Sequence, residues 1–316
     1  MEEETPDRLA ELALDDDWEV RHTTSLNPNT PPDALARLAE DEDVNVRLCA
    51  ISNPSIPIKV VVELASDEDD YVRKSVAENP STPTKTLAQL AQDENWQVRA
   101  QVAFNPSAPP ELLMRLTKDE VKHVRLPVAA NPSTPPNILA RLANDEDWGV
   151  RWRVARNENA WTATLIQLAQ DDERFVRSGV AENPNTPPET LAQLAKDESL
   201  DCRVRVAVAS NLGTPVRVLM ELVSDEDDLV RSRVAENPNT PPDSLMYLAS
   251  DKHYWVRSGV AANPNTPPEA LALLAKDEDW RVYETAKNNP CAPTNLDQVS
   301  TISATELAQP NGMEIG

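Results

Sequence analysis

The residues best suited to chemistry in this chain are concentrated between Asp147 and Trp161, which reads DWGVRWRVARNENAW. Trp148, Trp152 and Trp161 are three of its seven tryptophans, and Arg151, Arg153 and Arg156 lie among them. Arginine offers a planar fork of donors and tryptophan a large rigid face, and both residue types are enriched in the hot spots of protein interfaces. The chemistry expected here is recognition, with Trp148, Trp152, Arg153, Arg156 and Trp161 as the binding residues. A structural role competes with that reading for two of them. Trp148 would fill a core slot shared with Trp18, Trp96 and Trp280, and Trp161 would fill space left by missing prolines.

Catalytic patterns are thin. The histidines are His22, His123 and His253, far apart, and no GxSxG, HExxH or glycine-rich phosphate loop is present. Cys49, Cys202 and Cys291 form no CxxC pair and stand beside no histidine at metal-ligand spacing. The recurrent DED runs lack the glycine and the bidentate glutamate of a calcium loop, and acidic residues at a helix start account for them through the helix dipole. No catalytic residue, metal or cofactor is therefore assigned, and the chain is read as a non-enzyme.

The elements that must position the Trp/Arg cluster are repeats. An asparagine opens units at Asn27, Asn53, Asn79, Asn105, Asn131, Asn157, Asn183, Asn211, Asn237 and Asn263, and recurs at Asn289. The step is 26 residues throughout, except 28 between Asn183 and Asn211. Residues 1–26 make one more unit, giving eleven. A fixed period of this length indicates stacked supersecondary units rather than separate globular domains.

Each unit carries two helix signals. One starts at TPPE, as at Thr186, Thr240 and Thr266, where threonine is expected to cap the first N–H groups and proline to fit the first turn. Leucines follow three apart, as Leu35/Leu38, Leu139/Leu142 and Leu271/Leu274. The second signal runs through DEDWxVRxxVA, with valine at position 20 of the unit and usually valine again at 24 and alanine at 25. Spacings of three and four describe helical stripes, not strands. The Asn-Pro that follows ends the helix, because a residue before proline avoids the α region. Two such helices cannot bury their apolar faces alone, so stacking must supply the core.

Irregular places mark themselves against this rule. The unit at Asn157 lacks all three usual prolines, and the unit at Asn183 has two extra residues near Ser199–Asp201, read as a longer loop. Asn211 opens NLGTPVRVLMEL, also off pattern. Residues 289–300, with Leu296 and Val299, read as a degenerate closing cap, and 301–316 as a disordered tail. Trp152, Arg153 and Arg156 occupy positions that vary freely among units, which is the basis for expecting them at the surface.

An aspartate column runs from Asp15 and Asp41 to Asp277, and an arginine follows six residues later in nine units, from Arg21 to Arg257. In the lengthened unit Arg205 is eight after Asp197, and the last unit has Tyr283 instead. A residue present in every unit serves the unit, so the column is read as an inter-unit ladder rather than an active site.

The in-phase pattern DEDxxVRxxVAxNPxTPPExLxxLA resembles the leucine-rich repeat variant family over residues 1 to about 300. The resemblance implies a superhelix of α-helices alternating with short or 3₁₀ helices. One member type has an N-terminal iron–sulphur module, whose cysteine cluster this chain lacks. The DEDxxVR segment is also similar to HEAT repeats, whose Asp and Arg form a ladder between units. From the HEAT likeness comes a rival function: an enzyme or cofactor-handling protein similar to bilin lyases or DNA glycosylases.

Composition bounds the rest. The net charge of −23 repels phosphate backbones and disfavours nucleic acid, while it would attract a basic protein partner and keep the chain soluble and monomeric. The acidic start enters the first repeat directly, so no signal peptide is expected. No apolar run is long enough to span a bilayer, and sparse, unpaired cysteines suit the cytoplasm. The expectation is an all-α solenoid over residues 1–300, acting as a protein-binding scaffold.

Overall fold

A computed structural model describes residues 5–199 and 201–293. The expected cap residues 294–300, with Leu296 and Val299, and the tail 301–316 lie outside the described residues. Every described repeat is a pair of α-helices, and no strand or 3₁₀ helix occurs among the described residues. The chain is an all-α solenoid. Its shorter helices are α rather than the 3₁₀ alternative that the family resemblance left open.

The helices group into two compact units, one ending at Trp161 and one starting at Thr162. The division falls inside the proline-poor repeat that opens at Asn157. In the first unit the short helices are Pro6–Leu12, Pro32–Leu38, Ile58–Leu64, Thr84–Leu90, Pro110–Leu116 and Pro136–Leu142. The long ones are Trp18–Leu26, Val44–Ser52, Asp70–Glu78, Trp96–Phe104, Lys122–Ala130 and Trp148–Arg156. The second unit has short helices Thr162–Leu168, Pro188–Leu194, Val216–Leu222, Pro242–Leu248 and Pro268–Leu274. Its long helices are Arg174–Glu182, Arg203–Ser210, Asp228–Glu236, Tyr254–Ala262 and Trp280–Asn288.

Within each unit, the long helix of one repeat packs chiefly on the long helices before and after it. The valines of positions 20 and 24 make that seam: Val98 and Val102, Val150 and Val154, and Val230 and Val234 are completely buried. Alanines at position 25, such as Ala103, Ala129 and Ala235, are completely buried as well, and their size lets the neighbouring helix approach. The leucine pair of most short helices closes the other side, as with Leu35 and Leu38, and Val61 stands for the first leucine in Ile58–Leu64. Burying a valine or leucine contributes roughly 2 kcal/mol, and repetition multiplies that gain along the seam.

Helix starts follow a rule the sequence reading had only in part. The third residue of the DED run is the N-cap of the long helix, and its carboxylate accepts from the N–H two residues on. Asp43 does so from Asn45 at 2.8 Å and Asp69 from Tyr71 at 2.8 Å. The threonine of TPPE, however, does not cap the short helix. The first proline is the N-cap, as Pro31 and Pro135 show. Thr134 is buried and its hydroxyl instead donates to the carbonyl of Val128 at 2.6 Å, tying the turn to the preceding helix. Thr5, which stands where later repeats have that first proline, does cap, accepting from Arg8 N–H at 3.3 Å.

Two sets of polar bonds lock the stack. Arg21, Arg47, Arg73, Arg99 and Arg125 each place two nitrogens on the aspartate twenty residues ahead, in the next repeat. In the second unit Arg177, Arg205, Arg231 and Arg257 do the same. The lengthened loop, from Leu194 to Arg203, leaves the geometry intact: Arg205 still reaches Asp225 at 2.7 Å. The opening asparagine makes the other set. Asn131 donates to the carbonyls of Ala103 and Asn105, and its own oxygen accepts from Ser133 N–H.

Candidate binding face

The long helices alone position the exposed residues of interest. At 100° per residue, positions 20, 24 and 25 face the seam, and positions 18, 19, 22, 23 and 26 share an arc of about 140° on the other side. In the helix Trp148–Arg156 that arc holds Trp148, Gly149, Trp152, Arg153 and Arg156. Asp147 fixes its start, accepting from Gly149 N–H at 2.9 Å and Val150 N–H at 3.3 Å, and is itself gripped by Lys122 Nζ at 2.8 Å. Burial pushes the Asp147 carboxyl up, but the Lys122 bond and charge and the two N–H donors outweigh it and hold it below the usual range.

On this arc two cations lie over the Trp152 ring. The Arg153 guanidinium lies 4.7 Å from its ring centroid and that of Arg156 5.0 Å. Each such contact contributes about 0.5–1 kcal/mol at an exposed site, and together they hold two charges and an aromatic face in one orientation. Trp152 is half-buried, while Arg153 and Arg156 are exposed, as expected. Trp148 is 44% exposed and therefore does not fill a core slot; Trp18, Trp96 and Trp280 are likewise exposed. The reason is geometric: position 18 is the first residue of the helix and points some 160° away from Val150 in the same repeat. Trp161 is also exposed, so it does not fill the gap left by the prolines. It lies past the turn after Asn157, directly ahead of the helix Thr162–Leu168, so four of the five expected residues share the helix face and Trp161 does not.

The same arc on neighbouring repeats supplies residues that the sequence reading missed. Trp96 stacks beside His123 across two repeats, with ring centroids 5.2 Å apart. Between them and Arg153 lies a groove of 390 Å³, floored by Ala100, Phe104, Leu126, Pro127 and Ala130 and edged by Lys74. Every one of these occupies position 18, 19, 22, 23 or 26 of its repeat. That common register was the available signal.

The second unit has a comparable cluster, where Arg174 and Arg203 lie over the Phe175 ring at 5.1 and 4.9 Å. There Asp201 stands 3.4 and 3.6 Å from the two guanidinium groups.

Little else in the molecule is arranged for reaction. Among the described residues, no three His, Cys, Asp or Glu side chains gather as a metal site would need. Burial pushes the Cys202 thiol up to about 11, helped by Asp227 and Asp201, so it stays protonated at neutral pH. Burial also raises Cys49. No helix among the described residues is long and apolar enough to cross a membrane.

Comparison with known proteins bears on the repeats. A model described as the leucine-rich repeat variant domain matches residues 73–125, and one described as leucine rich repeat variant matches 18–43, 174–199 and 254–279. Among solved structures, one described as a leucine-rich repeat variant with a novel repetitive protein structural motif is 28% identical. The match covers 71% of this chain and 87% of that one, with a TM-score of 0.53. The karyopherin Kap121p bound to the extreme C-terminus of the protein phosphatase Cdc14p matches at 12% identity and a TM-score of 0.48, over 88% of this chain and 44% of that one. That likeness is too slight to carry a functional argument. No curated protein matches the chain.

Proposed function

We propose that this chain, whose repeats match the leucine-rich repeat variant models, works as a non-enzymatic scaffold that binds a protein partner on the exposed face of its long helices. The observation that carries this reading is the cation–π cluster on Trp152. Two arginines are held over a tryptophan at a place where the repeat needs none of the three. Positions 22, 23 and 26 supply none of the ladder arginines or bridging asparagines; Ser178, Gly179 and Gly259 at 22 and 23 are buried in the stack, whereas Arg153 and Arg156 are exposed and Trp152 half-buried. Arginine and tryptophan at the centre of an interface contribute more than any other pair of types. Trp148 extends the patch one turn along the same helix, and Trp161 adds an exposed aromatic past the following turn. A monomer in the cytoplasm fits the acidic surface and three free thiols.

The test compares proteins retained from native lysate by the chain and by a Trp152→Ala/Arg156→Ala variant of equal melting temperature. A protein retained by the first and lost by the second supports the reading. Equal retention by both sinks this site.

A further inference from the structure

From the groove beside Arg153 we infer the chemistry of the partner: an extended acidic segment that inserts an apolar side chain between helices Trp96–Phe104 and Lys122–Ala130. This rests on the reading that the long-helix face binds protein, and goes on to say what that face selects.

Charge is the first ground. In a chain of net charge −23, the groove lining carries Lys74, His123 and Arg153 and no carboxylate. Other concave places are acidic. The one between the repeats at Asn27 and Asn53 is lined by Glu40, Asp41, Glu42, Glu63, Asp67 and Glu68. Another is lined by Glu68, Asp69, Asp70 and Glu94 with Arg73, while the groove around Tyr254 and Trp255 balances Glu236 with Arg281. Near the cationic groove, Asp147 is paired with Lys122, while the acidic pocket holding Asp70 and Glu94 adjoins it on the other side of Trp96 and Gln97. A basic segment drawn to the acidic surface elsewhere would meet like charge at Arg153, and an acidic one would be paired there.

The floor is the second ground. Leu126, Pro127, Ala100 and Ala130 make an apolar bed, with Phe104 56% exposed at its end. Pro127 lies inside a helix, where proline costs about 3 kcal/mol because it removes an N–H and crowds the preceding turn. The carbonyl of His123, four residues back, loses the donor that a helix normally supplies. Nothing in the stacking rule calls for proline at position 23; Pro127 is buried, and that burial offsets part of the cost. At the groove floor it gives a rigid apolar surface.

Length is the third. The lining reaches from Lys74 to Arg153 across four consecutive long helices. At 8–10 Å between packed helices that is about 30 Å, or about nine residues of extended chain.

The experiment selects randomised peptides of about that length, displayed on phage, against the full chain. Binding is then measured to Phe104→Asp, Arg153→Glu and Trp152→Ala variants whose melts match the parent. The expected binders are rich in Asp and Glu around a Leu, Ile or Phe. They weaken at least about tenfold in both groove variants, and weaken further with added salt. Selection of Lys- and Arg-rich peptides, recovery of no binder, or acidic binders that tolerate both groove variants would overturn the proposal. Binders lost only with Trp152→Ala would refute the groove while leaving the binding face standing; binders indifferent to all three would refute both.

Discussion

Arg125 holds both carboxylate oxygens of Asp145 in the next repeat, at 2.7 and 2.9 Å, while its third nitrogen donates to the carbonyl of Asp119 in its own repeat at 2.9 Å. One guanidinium thus joins two repeats and closes the loop that precedes its own helix. Both partners are almost wholly buried. Arg125→Met leaves the Asp145 carboxylate buried without its cation and should cost about 3 kcal/mol. Urea denaturation measures this, and an unchanged midpoint would remove the ladder from the account.

The same bonds make stability depend on acid. Burial pushes the carboxyls of Asp41, Asp93, Asp119, Asp251 and Asp277 up, but the arginine bond and a backbone N–H two residues on hold each below its ordinary value. A folded-state value below the unfolded one means the native chain binds fewer protons. The stabilisation is therefore complete above the unfolded value of about 4 and is lost as pH falls through the lower native values. Urea midpoints should decline on acidification below about pH 4. A midpoint that rises over that range would contradict the ladder's sign.

Asn131 should matter somewhat less than the arginine and for a different reason. Its amide reaches two carbonyls of the preceding repeat, Ala103 at 2.7 Å and Asn105 at 3.2 Å. Asn131→Ala strands both and should cost about 2 kcal/mol. Asn131→Asp keeps the acceptor for Ser133 but has no amide to donate, so it should rescue little. Full stability in the aspartate variant would show that the turn, not the bridge, is what counts.

Thr134 separates two roles cleanly. A helix-capping threonine could be replaced by aspartate with little loss. Thr134 donates its hydroxyl proton to Val128, and a carboxylate facing that carbonyl would repel it. Thr134→Asp should therefore be more destabilising than Thr134→Val, whose cost should be about 1 kcal/mol. The reverse order in thermal melts would restore the capping role.

The fold was legible because its rules act within one repeat and recur. Val98 and Val102 lie on one helical stripe, and the Asp and Arg columns keep phase even where Ser199–Asp201 lengthens a loop. What escaped was contact between repeats that spacing alone does not display. Asn131 reads as a helix stop, yet its amide spans to the repeat before. Trp96 and Trp148 looked like core because they recur, although their first-turn position turns them to solvent. Trp152, Arg153 and Arg156 could be singled out as exceptions to the repeat. The groove beside them was marked only by a shared register, since Lys74, Phe104, Pro127 and Arg153 come from four repeats and meet only when the long helices are stacked.

Hydrogen–deuterium exchange with and without a bound acidic peptide selected as above tests the binding face most directly. Protection should appear in helices 96–104, 122–130 and 148–156 and leave the short helices 110–116 and 136–142 unchanged. Protection confined to the short helices, or to residues beyond Trp161, would contradict it.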